Sequence, residues 1–284
     1  MNGLVLHFAN GNSLFVGFLV TAVACILSSP RRHAVVRSAL RILNLVGGIL
    51  VVLSATPFPP WAYVIWALAF SLCLVAAEWP RERKPGWRPV AVGLLLLVST
   101  ILSALEYPYH RRPSLPLPKD KPIVVIGDSI SAGVQSRENP WPAVLARMTG
   151  LSVTNLALGG NTAGGALDEA RSLREADVSV LLEIGGNDIL GDTSAGQFEK
   201  DLEALLDEVC RPGRVVAMFE LPLPPFYNAF GRIQRRQAES HRVILIPKPV
   251  MTTVFGAPGA TVDSLHLSQA GHDKMASLVK AMIP

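Results

Sequence analysis

Over the first 106 residues, polar positions seldom interrupt the hydrophobic ones. Four apolar runs, Ser13–Ser28, Ile42–Ala55, Trp61–Ala77 and Val90–Leu105, contain no charged residue. Each lies near the short end of the ~17–25 residues a helix needs to cross a bilayer, and flanking Ala, Leu, Trp and Tyr extend them. A helix of a water-soluble core keeps a polar stripe on its outer face, and these runs lack one. The pattern therefore predicts a membrane module in residues 1–106, with about four helices near 13–28, 42–55, 61–77 and 90–105. Asn44 lies in the second run, and Gly47-Gly48 permits close helix packing. No run carries the buried ionisable residues that mark an ion or proton path, which argues against transport. A cleaved signal peptide fits the first run poorly, because its arginines follow the apolar stretch rather than precede it.

The pattern then changes. Tyr107–Pro122 reads YPYHRRPSLPLPKDKP, and its five prolines predict an extended, semi-rigid linker over 107–121 that holds the next domain clear of the bilayer surface. Beyond it, short β-rich apolar runs appear at Ile123–Ile126, Val153–Ala157, Val178–Ile184, Val215–Phe219 and Val243–Ile246. Segments of helical character fall between and after them: Trp141–Met148, Ala166–Arg174, Gln197–Val209, Asn228–Ser240 and Ser268–Met282. Strands alternating with helices predict a parallel sheet covered on both faces over 122–284.

Charge and composition sharpen this division. Half of the 284 residues are apolar and only 17% are charged, with a mean hydropathy of +0.35 and a pI near 9.1. That excludes disorder. Residues 1–106 hold 8 Lys and Arg against 3 Asp and Glu, and residues 107–284 hold 18 against 19. The basic excess thus belongs to the apolar part, and the near-neutral remainder has no basic stripe for nucleic acid. Arg31, Arg32, Arg37 and Arg41 lie between the first two runs; Arg81, Arg83, Lys84 and Arg88 lie between the last two. The loop Thr56-Pro57-Phe58-Pro59-Pro60 carries no charge. Positive loops mark the cytoplasmic side, so the expected protein is a multi-pass plasma (inner) membrane protein with both termini outside. The domain after the fourth run is then periplasmic or extracellular. Arg111 and Arg112 lead into a long translocated domain, where charge counts for less. Cys25 and Cys73 sit in apolar runs and Cys210 is alone in the second part, which therefore has no internal disulfide and no zinc-type cysteine cluster.

Parallel sheets bind ligands beyond the carboxyl ends of their strands, so chemistry is sought there. After the first strand comes Gly127-Asp128-Ser129-Ile130, with Ser129 at a strand-to-helix turn where a helix N-terminus favours negative charge. After the second comes Leu158-Gly159-Gly160-Asn161-Thr162, where glycine lets a backbone N–H approach a ligand; no Lys follows, as a phosphate loop would require. After the third comes Gly185-Gly186-Asn187-Asp188: Asn187 offers a side-chain donor and Asp188 is placed to cap the next helix. Asp263 and His266 are spaced so that the carboxylate can hold the imidazole, whereas His241 and His272 lack an Asp three residues earlier and read as surface or capping residues. Each segment alone reads as an ordinary turn or cap. Together they supply a nucleophile, backbone and side-chain donors, and a base with its orienter, the parts that acyl transfer requires.

With these four blocks in order, residues 122–284 resemble an SGNH hydrolase of the GDSL esterase/lipase family, most closely the bacterial lysophospholipase/arylesterase type. The blocks that carry the resemblance are Gly127-Asp128-Ser129, Gly160 within Asn155–Thr162, Gly185-Gly186-Asn187-Asp188, and Asp263-x-x-His266. The resemblance implies a flavodoxin-like α/β fold of about five parallel strands. It implies Ser129 as nucleophile, His266 as general base and Asp263 as its orienter. It implies an oxyanion hole of the Ser129 and Gly160 N–H groups and the Asn187 side chain, and it calls for no cofactor or metal. Ile130, Ser264 and Leu267 stand where the family commonly has Leu, Gly and Pro; the catalytic atoms are unaffected.

The expectation is a membrane-anchored serine esterase acting on acyl or acetyl esters of lipids or envelope glycans. Its partners are that small-molecule, lipid or glycan ester and the membrane lipids, without nucleic acid. Two alternatives stand beside it: an O-acyltransferase resolving the same acyl-enzyme with a sugar hydroxyl, and a catalytically silent membrane scaffold or binding module.

Overall fold

The computed structural model describes residues 2–29, 32–78, 86–135, 138–173 and 177–284. Arg31, Arg81, Arg83, Lys84 and Arg174 lie outside the described residues. The chain forms two compact units: His7–Pro108 with Pro224–Asn228, and Tyr109–Leu223 with Ala229–Pro284 and the residues up to Leu6.

The helices of the N-terminal region are α1 (Gly3–Ala9), α2 (Asn12–Leu27), α3 (Ala34–Val52), α4 (Pro60–Glu78) and α5 (Trp87–Glu106). Among the described residues, three helical stretches, α3, α4 and Trp87–His110, are long and apolar enough to cross a membrane; a fourth is added if α1 and α2, bent by 90°, form one span. The third helix starts at Ala34 rather than at Ile42, so Arg37 and Arg41 lie on a helix and not in a loop. Arg is a good helix former, and its long stem carries the charge away from the apolar face. Arg41 pairs with Glu78 at 2.9 Å, and the Arg88 guanidinium donates to the Ile26 carbonyl at 3.0 Å and to that of Ser28, capping the C-terminal end of α2. Close packing centres on Gly17 and Gly47. A Cβ on Gly17 would lie 2.7 Å from the Gly47 carbonyl oxygen, and one on Gly47 would lie 2.6 Å from Thr21 Cγ2. At Gly48 a Cβ would make only an ordinary 3.5 Å contact with Phe70. A cleft of about 700 Å³ is lined by Asn44, Gly48, Phe70, Leu74 and the Arg41–Glu78 pair.

The other unit is built on five parallel strands, β1 (Ile123–Gly127), β2 (Val153–Asn155), β3 (Ser179–Glu183), β4 (Val216–Phe219) and β5 (Ile244–Ile246), in the order β2-β1-β3-β4-β5. In register, Val124 faces Thr154 on one side and Val180 on the other. Every residue of β1 and β3 is buried, as both-face coverage by helices requires. The helices are α6 (Ser129–Ala132), α7 (Trp141–Thr149), α8 (Leu167–Ser172), α9 (Gly186–Leu190), α10 (Ala195–Val209), α11 (Asn228–Ser240), α12 (Pro249–Phe255) and α13 (Gln269–Lys280). The flavodoxin-like α/β architecture is thus present.

The Pro-rich stretch is a free spacer only in part. Tyr107–His110 is a 3-10 turn, and Leu115 and Leu117 are buried in the same core as Ile123, Leu181 and Val279. The Leu115 N–H donates to the Met282 carbonyl at 2.7 Å. Prolines keep the chain extended, but apolar leucines between them gain from burial. The strand order changes direction between β1 and β3, and in such sheets ligands bind at that switch point.

Candidate active site

The site grows from the ends of β1 and β3. A Cβ on Gly127 would lie 2.7 Å from the Glu183 carbonyl oxygen, so only glycine fits where the two strands finish side by side. Asp128 then caps α6: its Oδ1 accepts the Ile130 N–H at 2.9 Å. Ser129 opens this four-residue helix and is half-buried.

The loop after β2 is zipped along β1. The Leu156 N–H donates to the Val125 carbonyl at 2.8 Å and that of Leu158 to Gly127 at 3.1 Å. Asn155 Nδ2 donates to the Ser131 carbonyl at 2.8 Å. These bonds deliver Gly160, exposed and at φ +79, with open space around its Cα. Gly160 is therefore required by backbone conformation rather than by room.

After β3, Gly185 adopts φ +106, and a Cβ there would meet Leu221 at 2.9 Å and Phe198 at 3.0 Å. Asn187 follows, half-buried, its Nδ2 donating to the Asn161 carbonyl at 2.9 Å and to Asp128 Oδ2 at 3.3 Å. Asp188, expected to cap a helix, lies inside the five-residue α9 and is buried; its Oδ2 accepts the Ala163 N–H at 2.9 Å, tying the third block to the second. Burial pushes the Asp188 carboxyl up, opposed by that bond.

Asp263 and His266 share the loop between α12 and α13. A bridge between Thr261 and Leu267 and bonds from the Val262 N–H to the His266 carbonyl (3.0 Å) and from the Ser268 N–H to that of Ala260 (2.9 Å) close it. Asp263 Oδ2 lies 2.7 Å from His266 Nδ1, and Oδ1 accepts the N–H groups of Leu265 (2.8 Å) and His266 (2.7 Å). The bond from the imidazole, then those from the two backbone amides, hold the Asp263 carboxyl well below the usual range. An ionised Asp263 accepts from Nδ1, which leaves Nε2 as the free ring acceptor. Burial pushes the Asp128 carboxyl up, opposed by the bond it accepts from the Ile130 N–H.

The structure thus joins Asp263 to His266, and Asn187 to both Asp128 and the Asn161 carbonyl beside Gly160. His272 is a correction: it is fully buried rather than at the surface. Its Nδ1 accepts the Trp141 N–H at 3.2 Å and its Nε2 lies 3.5 Å from Glu138. Polar contacts from a distant segment, invisible in local spacing, hold it inside. His241 is partly exposed and bonded to Asp207. Sequence reasoning did not single out Glu183, the carboxyl that ends β3 and is buried there.

A hydroxyl at the first turn after β1, an imidazole on a carboxylate and N–H donors at neighbouring strand ends define a serine ester hydrolase on a flavodoxin-like sheet. Residues 125–274 match the GDSL-like lipase/acylhydrolase family. Esterase TesA of Pseudomonas aeruginosa is 29% identical over 168 residues, covering 54% of this chain and 83% of TesA. An arylesterase of Vibrio mimicus is 30% identical over 138 residues, covering 44% and 69% of the two chains. A crystal structure of TesA superposes with a TM-score of 0.50 at 27% identity, covering 57% of this chain and 97% of that one. The chain belongs to the GDSL-like lipase/acylhydrolase family.

Proposed function

We propose that this chain is an esterase anchored by its apolar helices in the plasma membrane, with its α/β unit outside the cytoplasm, and that it cleaves acyl or acetyl esters of lipids or envelope glycans at Ser129. Ser129 Oγ attacks the ester carbonyl while His266 Nε2 takes its proton. Asp263 keeps the Nδ1 proton in place and stabilises the imidazolium that forms. The oxyanion receives the Ser129 and Gly160 N–H groups and Asn187 Nδ2, a donor of this kind contributing about 3–4 kcal/mol in the transition state. The 3.3 Å bond from Asn187 to Asp128 is the longer of its two, and an oxyanion competes best with that one. The proton then passes to the leaving alcohol, and water, deprotonated by His266, releases the acyl-enzyme.

The observation that carries this reading is the latched Asp263–His266 pair, with Asp263 Oδ2 2.7 Å from His266 Nδ1 and Oδ1 holding the loop amides of Leu265 and His266. The relatives named esterase and arylesterase support ester substrates. The basic residues beside α3 and α5, set against the uncharged stretch before α4, support the orientation, and a reporter fused after Pro284 tests it.

The chemical test is Ser129→Ala in the full chain. It is expected to abolish hydrolysis of a short-chain aryl ester and labelling by a fluorophosphonate probe while leaving the melting temperature unchanged. Wild-type turnover by this variant overturns the assignment. Product analysis with an acceptor alcohol separates hydrolysis from acyl transfer.

A further inference from the structure

The reaction just described leaves a pair of buried carboxyl groups unused. Glu183 ends β3, facing Gly127 across the parallel ladder, and is 1% exposed; Asp128 is 3% exposed. Their backbones are joined by a bond from the Asp128 N–H to the Glu183 carbonyl at 3.1 Å, and their side chains are hydrogen-bonded to each other. Two carboxylates cannot share a hydrogen bond, so one carries a proton.

The neighbours decide which. Asp128 accepts the Ile130 N–H at 2.9 Å and an Asn187 amide hydrogen at 3.3 Å. Glu183 Oε2 accepts from the Ser131 hydroxyl at 2.9 Å, and that hydroxyl oxygen itself accepts Trp141 Nε1–H at 3.0 Å. Two N–H donors converge on Asp128, which holds the negative charge; Glu183, sealed in the core with one hydroxyl donor, holds the proton. The Asp128 carboxylate has little freedom, since a Cβ on Gly186 would lie 3.0 Å from its Oδ2. The chain of bonds therefore runs from Trp141 through Ser131, Glu183 and Asp128 to the Asn187 amide.

We propose that Glu183, as a neutral carboxylic acid, is a positioning residue of the oxyanion hole: it donates to Asp128, and Asp128 aims the Asn187 amide. This rests on the reading of Asn187 as an oxyanion donor. The titratable groups facing the pair are Asp188 from α9 and His266 from the α12–α13 loop. Loss of the Glu183 proton at high pH would set two carboxylates against each other, with Asp188 as a third anion nearby, and Asn187 would lose its aim.

The test uses the full chain in detergent, with kcat and KM for a short-chain aryl ester measured from neutral to alkaline pH. Glu183→Gln keeps an N–H for Asp128 and an oxygen for Ser131. Its kcat is expected within about twofold of wild type at neutral pH, without the alkaline decline of the wild type. Glu183→Leu is expected to lower kcat tenfold or more with KM unchanged, and to have no further effect in an Asn187→Ala background. Losses that multiply in the double variant, or a Glu183→Gln variant as slow as Glu183→Leu, overturn the proposal. If Glu183→Leu does not fold, the pH profiles decide alone: coincident curves for wild type and Glu183→Gln overturn it. An Asn187→Ala variant with unchanged kcat sinks the oxyanion-hole reading itself. A hundredfold loss there, multiplied by Glu183→Leu, sinks only the role of Glu183.

Discussion

Asp263 Oδ2 lies 2.7 Å from His266 Nδ1 while the other oxygen of the same carboxylate accepts two backbone N–H groups. One exposed side chain therefore both shapes its loop and fixes the ring. Asp263→Ala is expected to lower kcat by about a hundredfold or more with KM little changed, the scale of a misplaced general base. The carboxyl sits below the usual range. A depressed folded value means that the interaction is complete above about pH 4 and is lost only as pH falls through the lower folded value. Wild-type kcat/KM at mildly acidic to alkaline pH should accordingly carry no Asp263 titration. A KM-only effect of the alanine variant in steady-state assays would contradict this.

Gly160 and Gly185 both adopt positive φ, but for different reasons. At Gly160 a Cβ meets open space, whereas at Gly185 it collides with Leu221 and Phe198. Gly160→Ala should cost about 1–2 kcal/mol, the left-handed backbone cost alone, and should reduce kcat as its N–H turns. Gly185→Ala should cost more, because overpacking adds about 1–3 kcal/mol. Denaturant melts of the two variants decide this, and equal losses would show that the contacts at Gly185 relax freely.

Leu115 belongs to the folded unit. It is fully buried and bonded through its backbone to Met282, so Leu115→Ala should destabilise by about 2–5 kcal/mol. Substituting the exposed Arg111 should cost within about 0.5 kcal/mol. A neutral Leu115→Ala variant in thermal unfolding would restore the picture of a free spacer.

His272 makes stability depend on mild acid. Burial pushes its imidazole below the usual histidine value, opposed by Glu138 and Asp273. A folded value below the unfolded one means the stabilisation is complete above about pH 6.5 and drains away as pH falls from there through the folded value. His272→Asn, which keeps an acceptor for the Trp141 N–H, should melt lower at pH 7 yet show a flatter melting curve against pH in mild acid. Parallel curves for the two proteins would exclude this ring as the source.

Hydrophobic periodicity located all five strands because each is a short, nearly continuous apolar run of the kind that both-face burial demands. It located α7, α8, α10, α11 and α13 because each is long enough to show a helical stripe. It missed α6 and α9, of four and five residues, which make hardly more than a turn. Pro249 opens α12 at its first helical position, where proline is tolerated but reads in sequence as a breaker. Charge-free windows placed the apolar helices but cut α3 short at its arginines, because absence of charge is a test for lipid exposure and not for helicity.

That Ser129, Gly160 and Asn187 follow strand ends and that Asp263 lies beside His266 was legible because these signals are local: a turn after a strand, a glycine in a loop, a carboxylate three residues before an imidazole. The contacts from Asn187 to Asp128 and from Ser131 to Glu183 join residues 59 and 52 positions apart, and no local spacing encodes them. The sequence by itself determined which chemical groups stand at the strand ends. Only the tertiary structure decided which carboxyl groups are buried side by side, which histidine is sealed inside and where the linker becomes core. Those outcomes depend on how much water the packed strands and helices exclude, and on which donors they bring together from distant parts of the chain.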